Sequence, residues 1–244
     1  LLEYLPNEVY YLAAFHSHSE EKSENEMNLF HNSHHVHASL LMYFLDAIRT
    51  VSIQTRLFYS ASSLLYGPST TGIVNEESSF YPDNQYSISK LNGLLLCRYY
   101  RKKYKIFAST GIMFNHESIY RNERFISMKI IKGAVRIKIG KQKKIIIGDL
   151  SAEIDWGYAP DFVDAMFKVL SINTPDDFII ATGKTHSVKD FVDIVFHKLG
   201  LDFHDHIIED NTVIARSRKS IRGDYSKLYS ATKWKPKTSF NSMI

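Results

Sequence analysis

Two periodicities take turns along the first half of this chain, and that alternation restricts it to one class of fold. Residues 9–14 (VYYLAA) form a short apolar run ending in small side chains, and residues 38–50 then place Leu41, Phe44, Leu45 and Ile48 at helical spacing. Residues 56–60 (RLFYS) return to β-type residues, 85–104 carry Ile88, Leu91, Leu94, Leu95 and Tyr99 at helical intervals, and 106–114 (IFASTGIMF) are apolar again. Short buried strands separated by amphipathic helices predict an α/β fold with a parallel, doubly wound sheet. Such sheets bind ligands beyond the C-terminal ends of their strands. That rule directs attention to Ala61, Ser62 and Ser63 after one strand and to Asn115, His116, Glu117 and Ser118 after another.

The remaining segments are less periodic. Residues 16–28 and 67–83 read as polar loops, and 137–139 with 144–147 flank Gly140 in the manner of a hairpin. Residues 161–170 read as a helix. Ser187 with Asp190 three residues on resembles a capping box, opening a helix over 188–199 that Gly200 ends. Trp234-Lys235-Pro236 stops helical structure near the end of the sequence.

Chemistry concentrates on the helix over 85–104. Tyr86 and Lys90 are four residues apart and therefore share a face. A free phenol titrates near pH 10, so it serves as a base at neutral pH only where a cation lowers that value, and a neighbouring ammonium would do so. Ser62, at an adjacent strand end, would hydrogen-bond a substrate hydroxyl while Tyr86 takes its proton and hydride leaves to a nicotinamide.

Composition sets the outer limits. A net charge of +4 over 244 residues, with Lys and Arg dispersed, suits an anionic small molecule better than a nucleic acid. One cysteine, Cys97, cannot form an internal disulfide, and it reads as a small buried apolar group in a reducing compartment, the cytoplasm. No apolar run reaches the roughly 20 residues of a membrane span, and no partner membrane is expected. His31, His34, His35 and His37 lack the carboxylate or cysteine that would complete a metal site, and they read as an exposed polar insertion with no metal bound. Trp156 and Trp234 read as packing residues.

Eight stretches, taken together, resemble one family. They are EVYYLAA at 8–14, FYSASSLLYG at 58–67, FYPDNQYSISK at 80–90, FNHES at 114–118, DWGYAPDFV at 155–163, FIIATG at 178–183, HSVKDFV at 186–192 and WKP at 234–236. The chain is similar over nearly its whole length to the GDP-mannose 4,6-dehydratases, extended short-chain dehydrogenase/reductases that convert GDP-mannose to GDP-4-keto-6-deoxymannose with NADP. The resemblance implies that Tyr86 accepts the proton of the sugar 4-hydroxyl, Lys90 tunes it and holds the cofactor ribose, and Ser62 stands where the family has a catalytic threonine. It further implies NADP contacts from Leu12, Ala13, Ala14, His116 and Arg121, and substrate contacts from Asn115 and Arg216. The implied partner is GDP-mannose or a related sugar nucleotide, and an intact protein of this kind forms homo-oligomers.

Three departures qualify the expectation. Leu64 stands where the family has the glutamate that moves the C5 proton and assists loss of water at C6, and only Glu76 or Glu77 in the following loop offers a replacement carboxylate. Ile154 stands where an arginine would meet phosphate. The Gly-x-x-Gly-x-x-Gly loop that cradles a dinucleotide pyrophosphate does not occur in these residues. The expected architecture is therefore a partial Rossmann-like parallel sheet, its first strands missing, with a small C-terminal α/β substrate-binding lobe. The domains expected are 1–130 for the partial dinucleotide-binding catalytic unit and 131–244 for the sugar-nucleotide lobe, with 155–185 returning to the core. Alternatives to a dehydratase are a non-catalytic or truncated homologue and a sugar-nucleotide epimerase or 4-keto reductase, which needs Tyr and Lys but not the lost glutamate.

Overall fold

The computed structural model describes residues 3–15, 25–210, 212 and 219–244. Its elements run β1 (Glu8–Tyr11), α1 (Glu26–His34), a π-turn (His35–Ser39), α2 (Leu40–Val51), β2 (Arg56–Ser62), β3 (Gly72–Val74), α3 (Gln85–Tyr104), β4 (Ala108–Met113) and β5 (Asn115–Glu117). They continue α4 (Ile126–Lys138), β6 (Ile145–Ile147), β7 (Glu153–Ile154), β8 (Trp156–Tyr158), α5 (Ala159–Ser171) and β9 (Asp177–Ile180). The last are β10 (His186–Ser187), α6 (Val188–Leu199), β11 (Ile207–Glu209), β12 (Ile221–Gly223), α7 (Ser226–Thr232) and α8 (Phe240–Met243).

The central sheet has the order β1-β2-β4-β9 with every pair parallel, as the strand and helix alternation requires. Leu57, Phe58, Tyr59, Ala108, Ile112, Phe178, Ile179 and Ile180 are all buried, the pattern of strands covered on both faces. Helix α3 packs on β2 and β4, and α5 reaches the same two strands. The register sets Ser62 beside Met113 and Met113 beside Ile180, so the C-terminal strand ends lie level.

A second apolar cluster joins Ile130, Ala134, Ile145, Trp156, Val192 and Phe196 from α4, β6, β8 and α6. Helix α6 opens on the capping box, with Ser187 Oγ accepting from Asp190 N at 3.0 Å and Asp190 Oδ2 accepting from Ser187 N at 2.9 Å, and Gly200 closes it at φ +65°. Both Trp156 and Trp234 are buried packing residues, and Cys97 is buried.

Two readings of the sequence do not hold. Residues 137–139 and 144–147 form no hairpin, because Ile137 and Lys138 finish α4 and β6 instead pairs in parallel with β11. Buried Ile130, Ala134 and Ile137 share one face of α4, so helical burial outweighs the β propensity of this isoleucine-rich run. The histidine-rich stretch is exposed only in part: residues 26–34 are helical, His31 and His35 are exposed, and His37 is completely buried.

Candidate functional site

Helix α3 begins at a full capping box, where Asn84 Oδ1 accepts from Ser87 N at 3.0 Å and Ser87 Oγ accepts from Asn84 N at 3.2 Å. This fixes the first turn, which carries Tyr86. Two turns on, Gly93 lets the helix approach β2 closely, since a Cβ there would sit 2.2 Å from the Tyr59 hydroxyl and 2.6 Å from the His37 carbonyl. The close approach sinks Lys90 into the sheet.

Lys90 is 1% exposed, and its Nζ donates to Ser60 O at 2.6 Å while lying 5.7 Å from the centroid of the Tyr86 ring. Burial pushes its ammonium down to about 7. Burial pushes the Tyr86 phenol up to about 12, opposed by a hydrogen bond with Ser62 and by the charge of Arg121. The pull on the phenol expected from Lys90 therefore comes from Ser62 and Arg121. Ser62 Oγ also accepts from Leu64 N at 3.2 Å, which starts the short 3-10 turn Ser63–Tyr66.

From the neighbouring strand end, His116 Nδ1 donates to Phe114 O at 2.8 Å, and its ring stacks on Phe162 at 5.0 Å. Burial pushes the imidazole down, so it is neutral with Nε2 bare. Arg121 lies 3.5 Å over the Phe125 ring and pairs with Glu117 at 3.3 Å. Burial pushes the Glu117 carboxyl up, while Arg121 and the Ser127 hydroxyl, which donates to it at 2.7 Å, pull it down. Asn115 is exposed beside these groups, and Leu12, Ala13 and Ala14 are exposed just beyond β1.

The structure thus gathers Ser62, Tyr86 and Lys90 and puts Arg121 within electrostatic reach of the phenol. Arg216 falls outside the described residues. Leu64 sits on the turn directly after Ser62, and the two loop carboxylates are placed differently. Glu76 is buried with Oε1 accepting from Ile179 N at 2.8 Å, whereas Glu77 is exposed. Ile154 packs against the second apolar cluster.

Sequence reasoning gave no separate role to Asp155, whose buried carboxylate accepts from Thr182 N, Thr182 Oγ1, Gly183 N and Gly223 N at 2.6–3.2 Å. It ties β8 to the end of β9 and to β12, and its presence in the DWG motif was the signal for it. Among the described residues, no three His, Cys, Asp or Glu side chains cluster as a metal ion would require, and no helix is long and apolar enough to cross a membrane.

A parallel Rossmann-like sheet bearing a Tyr-x-x-x-Lys helix beside a strand-end serine is the architecture of a short-chain dehydrogenase/reductase. Solved structures agree on the fold. RMD from Pseudomonas aeruginosa, complexed with NADPH, superimposes with a TM-score of 0.84 at 21% identity over 98% of this chain and 80% of its own. UDP-glucuronic acid 4-epimerase from Bacillus cereus, in complex with NAD, gives 0.79 at 18% identity over 97% of this chain and 72% of its own.

Within that class, the chain belongs to the GDP-mannose 4,6-dehydratase family, whose model matches residues 1–244. GDP-mannose 4,6 dehydratase 1 of Arabidopsis thaliana is 35% identical over 98% of this chain and 66% of its own length. GDP-mannose 4,6 dehydratase 2 of Caenorhabditis elegans is 40% identical over 80% of this chain and 50% of its own. The chain spans about two thirds or less of the length of these curated relatives.

Proposed function

We propose that this chain carries the redox centre of an enzyme acting on GDP-mannose or a closely related sugar nucleotide with NADP, on the route to GDP-4-keto-6-deoxymannose. The observation that carries the proposal is Lys90: a fully buried ammonium that spends one of its three N–H donors on Ser60 O and lies along the Tyr86 ring. A buried cation with donors to spare is costly unless a polar ligand meets it. A cofactor ribose meets that need, so these residues fit a dinucleotide.

In this reading Lys90 would hold the ribose, the exposed strand end 12–14 would lie along the dinucleotide, and His116 and Arg121 would flank it. The nicotinamide, when bound, supplies a reversible hydride acceptor. Ser62 orients the 4-hydroxyl of the sugar, and Tyr86 receives its proton. Burial holds the phenol at about 12 even with Ser62 and Arg121 lowering it, so in this reading the transfer runs faster as pH rises. Asn115 and Arg216 are proposed to contact the sugar nucleotide, the second apolar cluster to serve as its lobe, and homo-oligomerisation to accompany the activity.

Leu64 favours a second reading restricted to redox at C4, as in an epimerase or 4-keto reductase, because leucine transfers no proton from C5. Purified protein incubated with GDP-mannose and NADP distinguishes the two. Formation of the 4-keto-6-deoxy product supports the dehydratase. Conversion of a 4-keto sugar nucleotide without any elimination supports the redox-only reading, and a folded protein that binds no dinucleotide and turns over neither substrate removes both.

A further inference from the structure

His37 is a buried imidazole to which the proposed chemistry gives no part. It lies in the middle of the π-turn His35–Ser39, and such turns are often found where a helix is distorted to serve a site. Its partners fix its protonation. Phe15 N donates to His37 Nε2 at 3.0 Å, so Nε2 is bare and the proton resides on Nδ1. His37 Nδ1 then donates to Ser89 Oγ at 2.8 Å, Ser33 Oγ donates to the same oxygen at 2.7 Å, and the Ser89 hydroxyl donates to Tyr86 O at 2.9 Å. Ser33 Oγ also lies 3.2 Å from His37 Nδ1, so the three polar side chains form one cluster beside Tyr86.

The ring itself meets the Tyr86 ring edge to face, with centroids 5.1 Å apart at 88°. One side chain therefore grips three things: the backbone at the end of the β1 segment, the residue next to Lys90, and the aromatic ring of Tyr86. Two further contacts hold the turn in place. Tyr11 donates its hydroxyl to Val36 O at 2.6 Å, and the His37 carbonyl lies against Gly93 of α3.

We propose that His37 is a positioning residue that couples the segment at residues 12–15 to the Tyr86 phenol, so that the strand end and the proton acceptor keep a fixed relation. The inference rests on the reading of Tyr86 as the proton acceptor, and it specifies what sets the placement of that group. Its energetic basis is modest but directional: a part-buried amide that loses its acceptor, or an aromatic ring that loses its packing partner, explores more conformations.

The test uses the full chain with His37→Phe, His37→Gln and His37→Asn. Two readouts need no activity: hydrogen exchange of the Phe15 amide, and the rate at which tetranitromethane nitrates Tyr86, both followed by mass spectrometry. His37→Phe is expected to speed each by about tenfold, the equivalent of one hydrogen bond, without altering exchange in α6. Gln keeps an acceptor where Nε2 lies and should preserve Phe15 protection alone, whereas Asn keeps a donor near Ser89 and should preserve Tyr86 alone. In turnover, all three should lower kcat with the KM for GDP-mannose within about twofold, as expected for misplacement and not lost binding.

Unchanged Phe15 exchange and Tyr86 nitration in His37→Phe would overturn the coupling. Should that variant fail to fold, identical behaviour of the Gln and Asn variants in both readouts would overturn it equally. A wild-type protein that binds no dinucleotide defeats the proposed function instead, while the exchange and nitration results still decide the coupling.

Discussion

Ser62 and Leu64 are two residues apart on the same turn, yet the regions they head differ in kind. Around Ser62 the polar groups are positioned: its hydroxyl meets Tyr86 and Leu64 N, Lys90 meets Ser60, and the helix that presents Tyr86 and Lys90 is capped at its start. Leu64 itself offers no acid or base. The nearest carboxylate in the sequence, Glu76, is buried and committed to Ile179 N, where it fastens the loop after β3 to β9. The difference teaches that the two halves of a dehydration are separable in the fold. In the proposed reading, proton removal at a hydroxyl relies on a strand end and a helix packed together, which the core itself maintains. In the same reading, proton removal at carbon relies on one side chain on the short turn after β2, where half-buried Leu64 sits between buried Ser63 and Leu65.

That comparison breaks first at Tyr86. Replacing it with Phe keeps the ring that packs on His37 and should lower hydride transfer by about 10²–10⁴-fold, followed as nicotinamide absorbance with a sugar nucleotide substrate. A smaller loss would remove Tyr86 from the chemistry. Leu64→Glu comes next, expected to raise the yield of dehydrated product by about 10²-fold while leaving oxidation at C4 within a few-fold. Equal yields from variant and wild type would mean that elimination fails for another reason.

Glu76→Ala sharpens the contrast from the other side. Leaving Ile179 N without its acceptor should cost about 1–3 kcal/mol in urea denaturation with turnover unaltered, as befits a structural carboxylate. Lost turnover in a stably folded variant would instead make Glu76 the missing acid.

Lys90→Met addresses the cost of the redox side. The Lys90 pKa is about 7 in the folded chain against 10.5 ordinarily, so the unfolded chain binds more protons between those values and stability rises with pH across that window. The variant should be the more stable protein at pH 6, by urea midpoint, with the gap closing as pH approaches 10. An unchanged gap would mean that the ammonium is solvated. The smallest effect belongs to Cys97, whose thiol burial pushes up to about 12. Cys97→Ala should cost only about 1–2 kcal/mol, and the native thiol should resist alkylating reagents that label it after unfolding.

Much of this molecule was legible in the chain. The alternation of strand and helix, the span 85–104, the capping box at Ser187 and the stop at Gly200 all follow from local rules, and the structure has them at those positions. The family motifs bring Ser62, Tyr86 and Lys90 together, and in the structure the three are neighbours. Local rules failed where two segments distant in sequence settle the outcome. The isoleucines at 137–147 read as a hairpin, but residues 145–147 pair with 207–209. Helix α3 read as amphipathic through Leu95 and Tyr99, yet both are exposed, while Ser87, Ser89, Lys90 and Gly93 face the core. Small side chains at those positions allow close packing, which outweighs hydrophobicity where a helix must lie against β2.

By itself, then, the sequence determined the order and type of the main elements and the family motifs, because periodicity, capping and motif are properties of neighbours along the chain. Only the tertiary structure decided what surrounds those groups: that the relief of the Tyr86 phenol comes from Ser62 and Arg121, that Glu76 is spent on a strand, and that His37 is buried beside the site. Burial, hydrogen-bond partners and the resulting shifts in acidity depend on which distant segments meet, and the folded core alone sets those meetings.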